Sequence, residues 1–235
     1  MNTIQKIVIV VGLVFIFGFI FISTRRVTAP VLSVALLQEE HSQTDYVTMD
    51  LSYPHSSETQ YPDMYHFIQQ SKSDFIRDFG SVSTEEAVTL HLSKDRQYAY
   101  TMSTRIATST NTVSYIIEVY QFTGGAHGGT TVNTFTYDTK GALVTLDRLF
   151  TQSYLERLSQ LSREYLYTSL GEYSREESIN SGTEPKLENF SSWYMTPKTI
   201  VFIFGQYSVG PYAIGIQEFP LDKSKITDIL SPEFR

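Results

Sequence analysis

Val113-Ser-Tyr-Ile-Ile-Glu-Val-Tyr-Gln-Phe122 leads through Thr123-Gly-Gly-Ala-His-Gly-Gly129 into Thr131-Val-Asn-Thr-Phe-Thr-Tyr137. Both flanks are rich in β-branched and aromatic residues, so they predict two strands. The Gly-rich stretch between them supplies backbone conformations closed to other residues. A second segment of this kind, Gln206-Tyr-Ser-Val-Gly-Pro-Tyr-Ala-Ile-Gly215, follows the apolar run Ile200 to Phe204. Two Gly-rich aromatic segments at strand ends predict a shaped surface and lack the usual marks of a catalytic centre.

Working outward, Ala87 to Leu92, Ala99 to Ala107 and Leu143 to Leu146 also read as strands, with Asp138-Thr-Lys-Gly141 as a hairpin turn. Val31 to Leu37 and Tyr46 to Tyr53 are shorter strand candidates, the second closed by Pro54. Two amphipathic helices interrupt them. Residues 63–79 carry Met64, Phe67, Ile68, Phe75, Ile76 and Phe79 on one stripe, with Asp63 as N-cap and Gly80 as the stop. Residues 153–170 open on Ser153-Tyr-Leu-Glu156, a capping-box pattern, and present Leu155, Leu158, Leu161, Tyr165 and Leu166. Residues 172–189 read as a polar loop, and Ala213 to Phe219 as the last strand. The expected class is α+β, a mostly antiparallel sheet carrying two helices.

The N-terminus predicts location. Ile7 to Ile22 is sixteen residues, all apolar or Gly, between Lys6 and the pair Arg25 and Arg26. That run covers about 24 Å as a helix and nears the ~30 Å hydrocarbon thickness with its neighbours. Pro30 directly after Val27-Thr-Ala29 disfavours signal cleavage there, so residues 7–24 read as an uncleaved anchor. The expected plan is a cytoplasmic tail at 1–6, the anchor at 7–24, a strand-strand-helix unit at 28–80 and a second unit at 81–235. The two units are expected to share a core. The folded part is expected outside the cell, although the flanking charges are nearly balanced.

Composition narrows the classes. The chain has no Cys, which excludes disulfides, thiolate metal sites and Cys nucleophiles. Lys and Arg total 18 against 25 acidic residues, a net charge of −7 that argues against nucleic acid and anionic lipid. It suits a cationic protein partner, or simply solubility. His41, His55, His66, His91 and His127 are scattered, with no pair at metal-ligand spacing. There is no Gly-x-Ser-x-Gly elbow and no phosphate loop with its Lys. No metal, no cofactor and no catalytic residue are assigned. Asp147 reads as a local turn or cap acceptor.

One ordered set of residues carries a resemblance: Gly124-Gly-Ala-His127, Asn133 and Phe135, Gly141, Leu146-Asp147, Leu149-Phe150, Phe190, then Tyr207, Gly210-Pro-Tyr-Ala213 and Gly215. With the strand-strand-helix preface it resembles the extracytoplasmic domain shared by the lysozyme-sensing anti-sigma factor RsiV and the non-catalytic N-terminal region of the peptidoglycan deacetylase PdaC. The resemblance implies a non-enzymatic ectodomain of the cell envelope, with a lysozyme-like muramidase or peptidoglycan as candidate partner. Six residues before the anchor are too few to grip a sigma factor, so no sigma factor is expected. The candidate ligand-binding residues are Gly124, Gly125, His127, Gly128, Tyr207, Pro211 and Tyr212. Two other readings stay open: an envelope-polymer hydrolase with His127 as general base, and a structural envelope protein with no soluble ligand.

Overall fold

A computed structural model describes residues 34–235 other than Gln152. The expected anchor at 7–24 lies outside the described residues. Strands β1 (Leu37–Gln43), β2 (Val47–Pro54), β3 (Tyr98–Thr108), β4 (Thr112–Phe122) and β5 (Gly129–Asp138) form one sheet in chain order. Every pairing in it is antiparallel except β2 with β3. A parallel pair needs a long crossover, and helix α1 (Pro62–Phe79) lies in it. Met64, Ile68 and Phe75 of α1 are buried against Met49, Leu51, Tyr100, Met102, Tyr115 and Ile117, all on one face of the sheet. This first core draws on residues 47–137, from both sides of residue 80.

A second sheet, β6 (Trp193–Met195), β7 (Thr199–Phe204) and β8 (Gln217–Asp222), is antiparallel throughout. Helix α4 (Leu155–Leu170) covers it, with Leu158 and Leu166 in one cluster with Phe202, Phe204 and Phe219. That second core spans residues 144–234. The two sheets meet along β5 and β6. Ser192 Oγ donates to Val132 O at 2.9 Å, and Trp193 N to Thr134 Oγ1 at 2.9 Å. Met195 N reaches Ser114 Oγ at 3.2 Å, and Ser114 in turn shares a 2.8 Å hydroxyl bond with Thr136. This seam places the end of β7 beside the start of β5.

The α+β class holds, with two sheets in place of one and, among the described residues, five α-helices in place of two. Residues 87–92, expected as a strand, contribute instead to helix α2 (Thr84–Thr89). A full capping box explains it: Glu86 N donates to Ser83 Oγ at 3.2 Å, and Ser83 N to Glu86 Oε2 at 2.8 Å. The box expected at Ser153 is absent, since α4 starts after Tyr154 with no side-chain cap. Likewise α1 begins after Tyr61, leaving Asp63 in its first turn, where a carboxylate suits the helix dipole.

The expected strand at 143–146 keeps one bridge, Tyr137 to Leu143, before Thr145 caps helix α3 (Leu146–Leu149). Helix α5 (Glu176–Gly182) occupies much of the expected loop, and Ile179 anchors it in the second core. The last strand lies later than expected, because Tyr212–Ile214 is a 3-10 turn ending at Gly215 with φ +67°. The first strand is displaced too: residues 34–36 precede it, held by Ala35 N donating to the Tyr115 hydroxyl and His55 N to Leu36 O, each at 2.7 Å, and β1 runs from Leu37 through Gln-Glu-Glu-His-Ser-Gln43. Ile76 is 51% exposed, off the face that α1 buries.

Candidate functional site

Between β4 and β5 the chain turns on Gly124 (φ +96°) and Gly125 (φ +85°), conformations that favour glycine. Arg96 holds this turn, donating to Gly125 O at 2.8 Å while its guanidinium sits over the Phe122 ring at 5.8 Å. At Gly128 the reason is space, since a Cβ there would lie 2.5 Å from the Tyr120 ring. The backbone therefore passes flat beneath Tyr120 and delivers His127 to the surface.

The second Gly-rich segment comes to meet it. Gln206 Oε1 accepts from Thr130 N at 2.8 Å, stitching the end of β7 to the start of β5. Tyr212 donates its hydroxyl to Gly128 O at 3.1 Å. The same carbonyl is 2.9 Å from His127 Nδ1, a contact that calls for the proton on Nδ1. The His127 ring then lies on the Tyr212 ring, centroids 4.0 Å apart and planes 23° off parallel. Tyr207 continues the row at 5.6 Å from Tyr212, tilted 41°.

Tyr207 is the unusual member. Its φ is +66°, rare for a bulky side chain, and 61% of it is exposed. Such a conformation costs on the order of 1–3 kcal/mol and persists only where the surroundings impose it. A residue whose backbone is strained and whose ring yet buries little gains no core packing in return.

Of the residues expected from sequence, His127, Gly128, Tyr207 and Tyr212 come together. Gly124 and Gly125 shape the turn that carries His127. Pro211 is exposed beside Tyr212 and its carbonyl closes the 3-10 turn by accepting from Ile214 N at 3.1 Å. Gln206 and Tyr120 were not singled out, although Gln206 stands next to Tyr207 in the quoted segment. Among the described residues no carboxylate pairs with His127, and no cluster of three His, Asp or Glu is placed to hold a metal. Asp147 accepts from the Tyr154 hydroxyl at 2.6 Å, and burial followed by that carboxylate pushes the Tyr154 phenol up to about 12.

A groove of about 310 Å³ is lined by Gln206 and Ser208, which flank Tyr207 in the chain, although none of the three ring residues lines it. A separate cavity of about 250 Å³ lies between α1 and the β1–β2 pair, over Met49 and Leu51. Its one lysine, Lys72, is already committed, donating to Glu40 Oε2 at 2.6 Å and to the Tyr53 hydroxyl at 3.1 Å. Burial opposes the Lys72 charge, yet those two bonds raise its pKa, and the same Lys72 bond holds the Glu40 carboxyl low.

The fold and surface define a two-sheet α+β domain whose exposed aromatic row is built where two Gly-rich loops join. Residues 40–130, which carry the first loop, match the family described as deacetylase PdaC. Residues 147–224, which carry the second, match a family of proteins of unknown function, DUF3298. Over 126 residues the chain is 32% identical to the peptidoglycan-N-acetylmuramic acid deacetylase PdaC of Bacillus subtilis (strain 168), so the resemblance to PdaC read from the sequence is borne out. The alignment takes in 52% of this chain and 27% of that protein, so the chain spans about a quarter of its relative. Two solved DUF3298 structures share the fold. The one from Bacteroides fragilis NCTC 9343 has a TM-score of 0.53 at 16% identity, covering 84% of this chain and 95% of its own. The one from Pseudomonas aeruginosa PAO1 has 0.56 at 14%, covering 85% and 94%.

Proposed function

We propose that this chain is a membrane-anchored, extracytoplasmic binding module of the bacterial cell envelope that holds peptidoglycan glycan on the His127–Tyr212–Tyr207 row. One observation carries the reading: Tyr207 is kept at φ +66° with most of its ring in solvent. Strain retained on an exposed aromatic is what a ligand anchor needs, because the ring is held in place before the ligand arrives. Flat apolar faces with polar tips suit the alternating apolar and hydroxyl surfaces of a sugar ring. The relative's printed activity concerns peptidoglycan, which supports the choice of polymer. The anchor follows from the apolar run Ile7 to Ile22, and the reading assigns no catalysis to this chain.

A lysozyme-like muramidase is the second reading, and the net charge of −7 favours it as a cationic partner. The test is retention of the full chain on purified peptidoglycan and, separately, on a cationic lysozyme at low and raised salt. The proposal expects retention on peptidoglycan that Tyr207→Ala removes. A salt-sensitive lysozyme complex without peptidoglycan binding selects the second reading, and binding to neither contradicts both.

A further inference from the structure

The groove lined by Gln206 and Ser208, the chain neighbours of Tyr207, has a chemistry of its own. Three distant stretches wall it: the start of β5 at Thr130 and Thr131, the turn after α5 at Glu188 and Asn189, and the loop at Gln206 and Ser208. The seam between the two sheets brings them together, so no single stretch of sequence announces it. At about 310 Å³ it sits at the small end of the ~300–1,000 Å³ range of ligand sites, on the scale of a mono- or disaccharide.

Its polar groups are partly uncommitted. Gln206 spends Oε1 on Thr130 N, while its Nε2 has no partner among the described residues. Asn189 spends Nδ2 on Ser181 O at 3.2 Å and Glu184 O at 3.1 Å, which fixes the side chain and leaves Oδ1 without a partner among them. The hydroxyls of Thr131 and Ser208 likewise have none, and both residues are exposed. The wall thus offers an amide donor, an amide acceptor and hydroxyls that serve as either. No Lys, Arg or His lines it, and its one charge is the carboxylate of Glu188.

We infer that this groove is a subsite for uncharged, hydroxyl-rich sugar rings, joined to the aromatic row through the 206–208 loop and closed to polyanions. Paired donors and acceptors match hydroxyl and acetamido groups, each of which both gives and takes hydrogen bonds. A phosphate or carboxylate polymer would meet Glu188 with no cation to offset the repulsion. The inference rests on the reading that the row binds a glycan, and it adds the class of sugar and the residues that select it.

The test uses the full chain with two probes, the neutral oligomer tetra-N-acetylchitotetraose and inorganic polyphosphate, followed by calorimetry. Ser208→Arg and Thr131→Arg each place a bulky cation in the groove at an exposed position outside the His127–Tyr212 stack, and thermal melting reports whether each remains folded. The expected result is binding of the neutral oligomer, weakened about tenfold by either variant, and none of polyphosphate to the native chain. Equal oligomer binding by both folded variants overturns the inference, as does native binding of polyphosphate in place of the oligomer. Tyr207-dependent retention on peptidoglycan without oligomer binding overturns the groove assignment alone. Failure to bind peptidoglycan and oligomer together overturns the row as well.

Discussion

The imidazole of His127 lies against the phenol of Tyr212, 4.0 Å between centroids, while the Tyr212 hydroxyl reaches past it to Gly128 O at 3.1 Å. One side chain thus holds the other loop by a face and by a tip. Because β4–β5 belongs to the first sheet and Tyr212 sits between β7 and β8 of the second, this contact also ties the two sheets together at the surface.

Removing the tip and removing the ring should therefore separate. Tyr212→Phe keeps the stack and loses one hydrogen bond, an expected cost of about 1 kcal/mol. Tyr212→Ala loses the stack as well, about 1 kcal/mol more. Urea melts of the two variants check the order, and equal stabilities would show that the stack contributes nothing.

Gly182, at the end of α5, has its position fixed by the opposing loop. A Cβ there would fall inside the Ser208 carbonyl, which is backbone and cannot swing aside. Gly182→Ala is expected to destabilise by about 1–3 kcal/mol through overpacking and to displace the 206–208 loop. Chemical shifts of Gln206 and Ser208 should move in the folded variant.

Acid sensitivity has a specific source. Asp138 Oδ2 accepts from Arg148 at 2.6 Å, and Oδ1 accepts from Lys140 N at 2.8 Å and Ala142 N at 3.0 Å. Burial pushes this carboxyl up, but the three donors outweigh it and hold its pKa below the usual value. A carboxyl lowered on folding contributes stability above its unfolded pKa, near 4, and loses it as the pH falls through the folded value. Asp138→Asn is expected to cost about 2 kcal/mol at neutral pH and to flatten the loss below about pH 4. Denaturant midpoints across pH 2–7 show whether it does.

Tyr137 should behave in the opposite way. Its hydroxyl is buried with no hydrogen-bond partner among the described residues; burial pushes the phenol well up, and the nearby Met64 backbone, short of a full bond, eases that only in part. Deleting an unsatisfied polar atom from a packed site is neutral or favourable. Tyr137→Phe is expected to leave stability unchanged or raise it by up to about 1 kcal/mol, as thermal melting will show. A clear loss would mean that a partner supports the hydroxyl.

Strong periodicity made the middle of the fold legible. Helices α1 and α4 and strands β2 and β3 each bury one clear face, while β4 and β7 are apolar runs buried on both faces, and their residues say so. What stayed hidden lacks that signal. Strand β1 is an edge held by backbone pairing, and its Glu40 and His41 side chains meet the polar partners Lys72 and Asp50, so no apolar alternation marks it. Helices α2, α3 and α5 are four to seven residues long, too short for a period to show. Three-residue β6 is held at the seam by Thr134 and Ser114, which accept from Trp193 N and Met195 N. The site divides in the same way. Glycine and aromatic content marked both loops, whereas Gln206 meeting Thr130 depends on how two sheets dock.

The most direct test of the account is peptidoglycan retention by the full chain carrying Tyr207→Gly, measured beside its melting temperature. Glycine relieves the positive φ while deleting the ring, so the two readouts should part. The account predicts retention at least about tenfold weaker with a melting temperature no lower than that of the native chain. Undiminished retention by the folded variant would contradict it, because the strained, exposed ring would then anchor nothing.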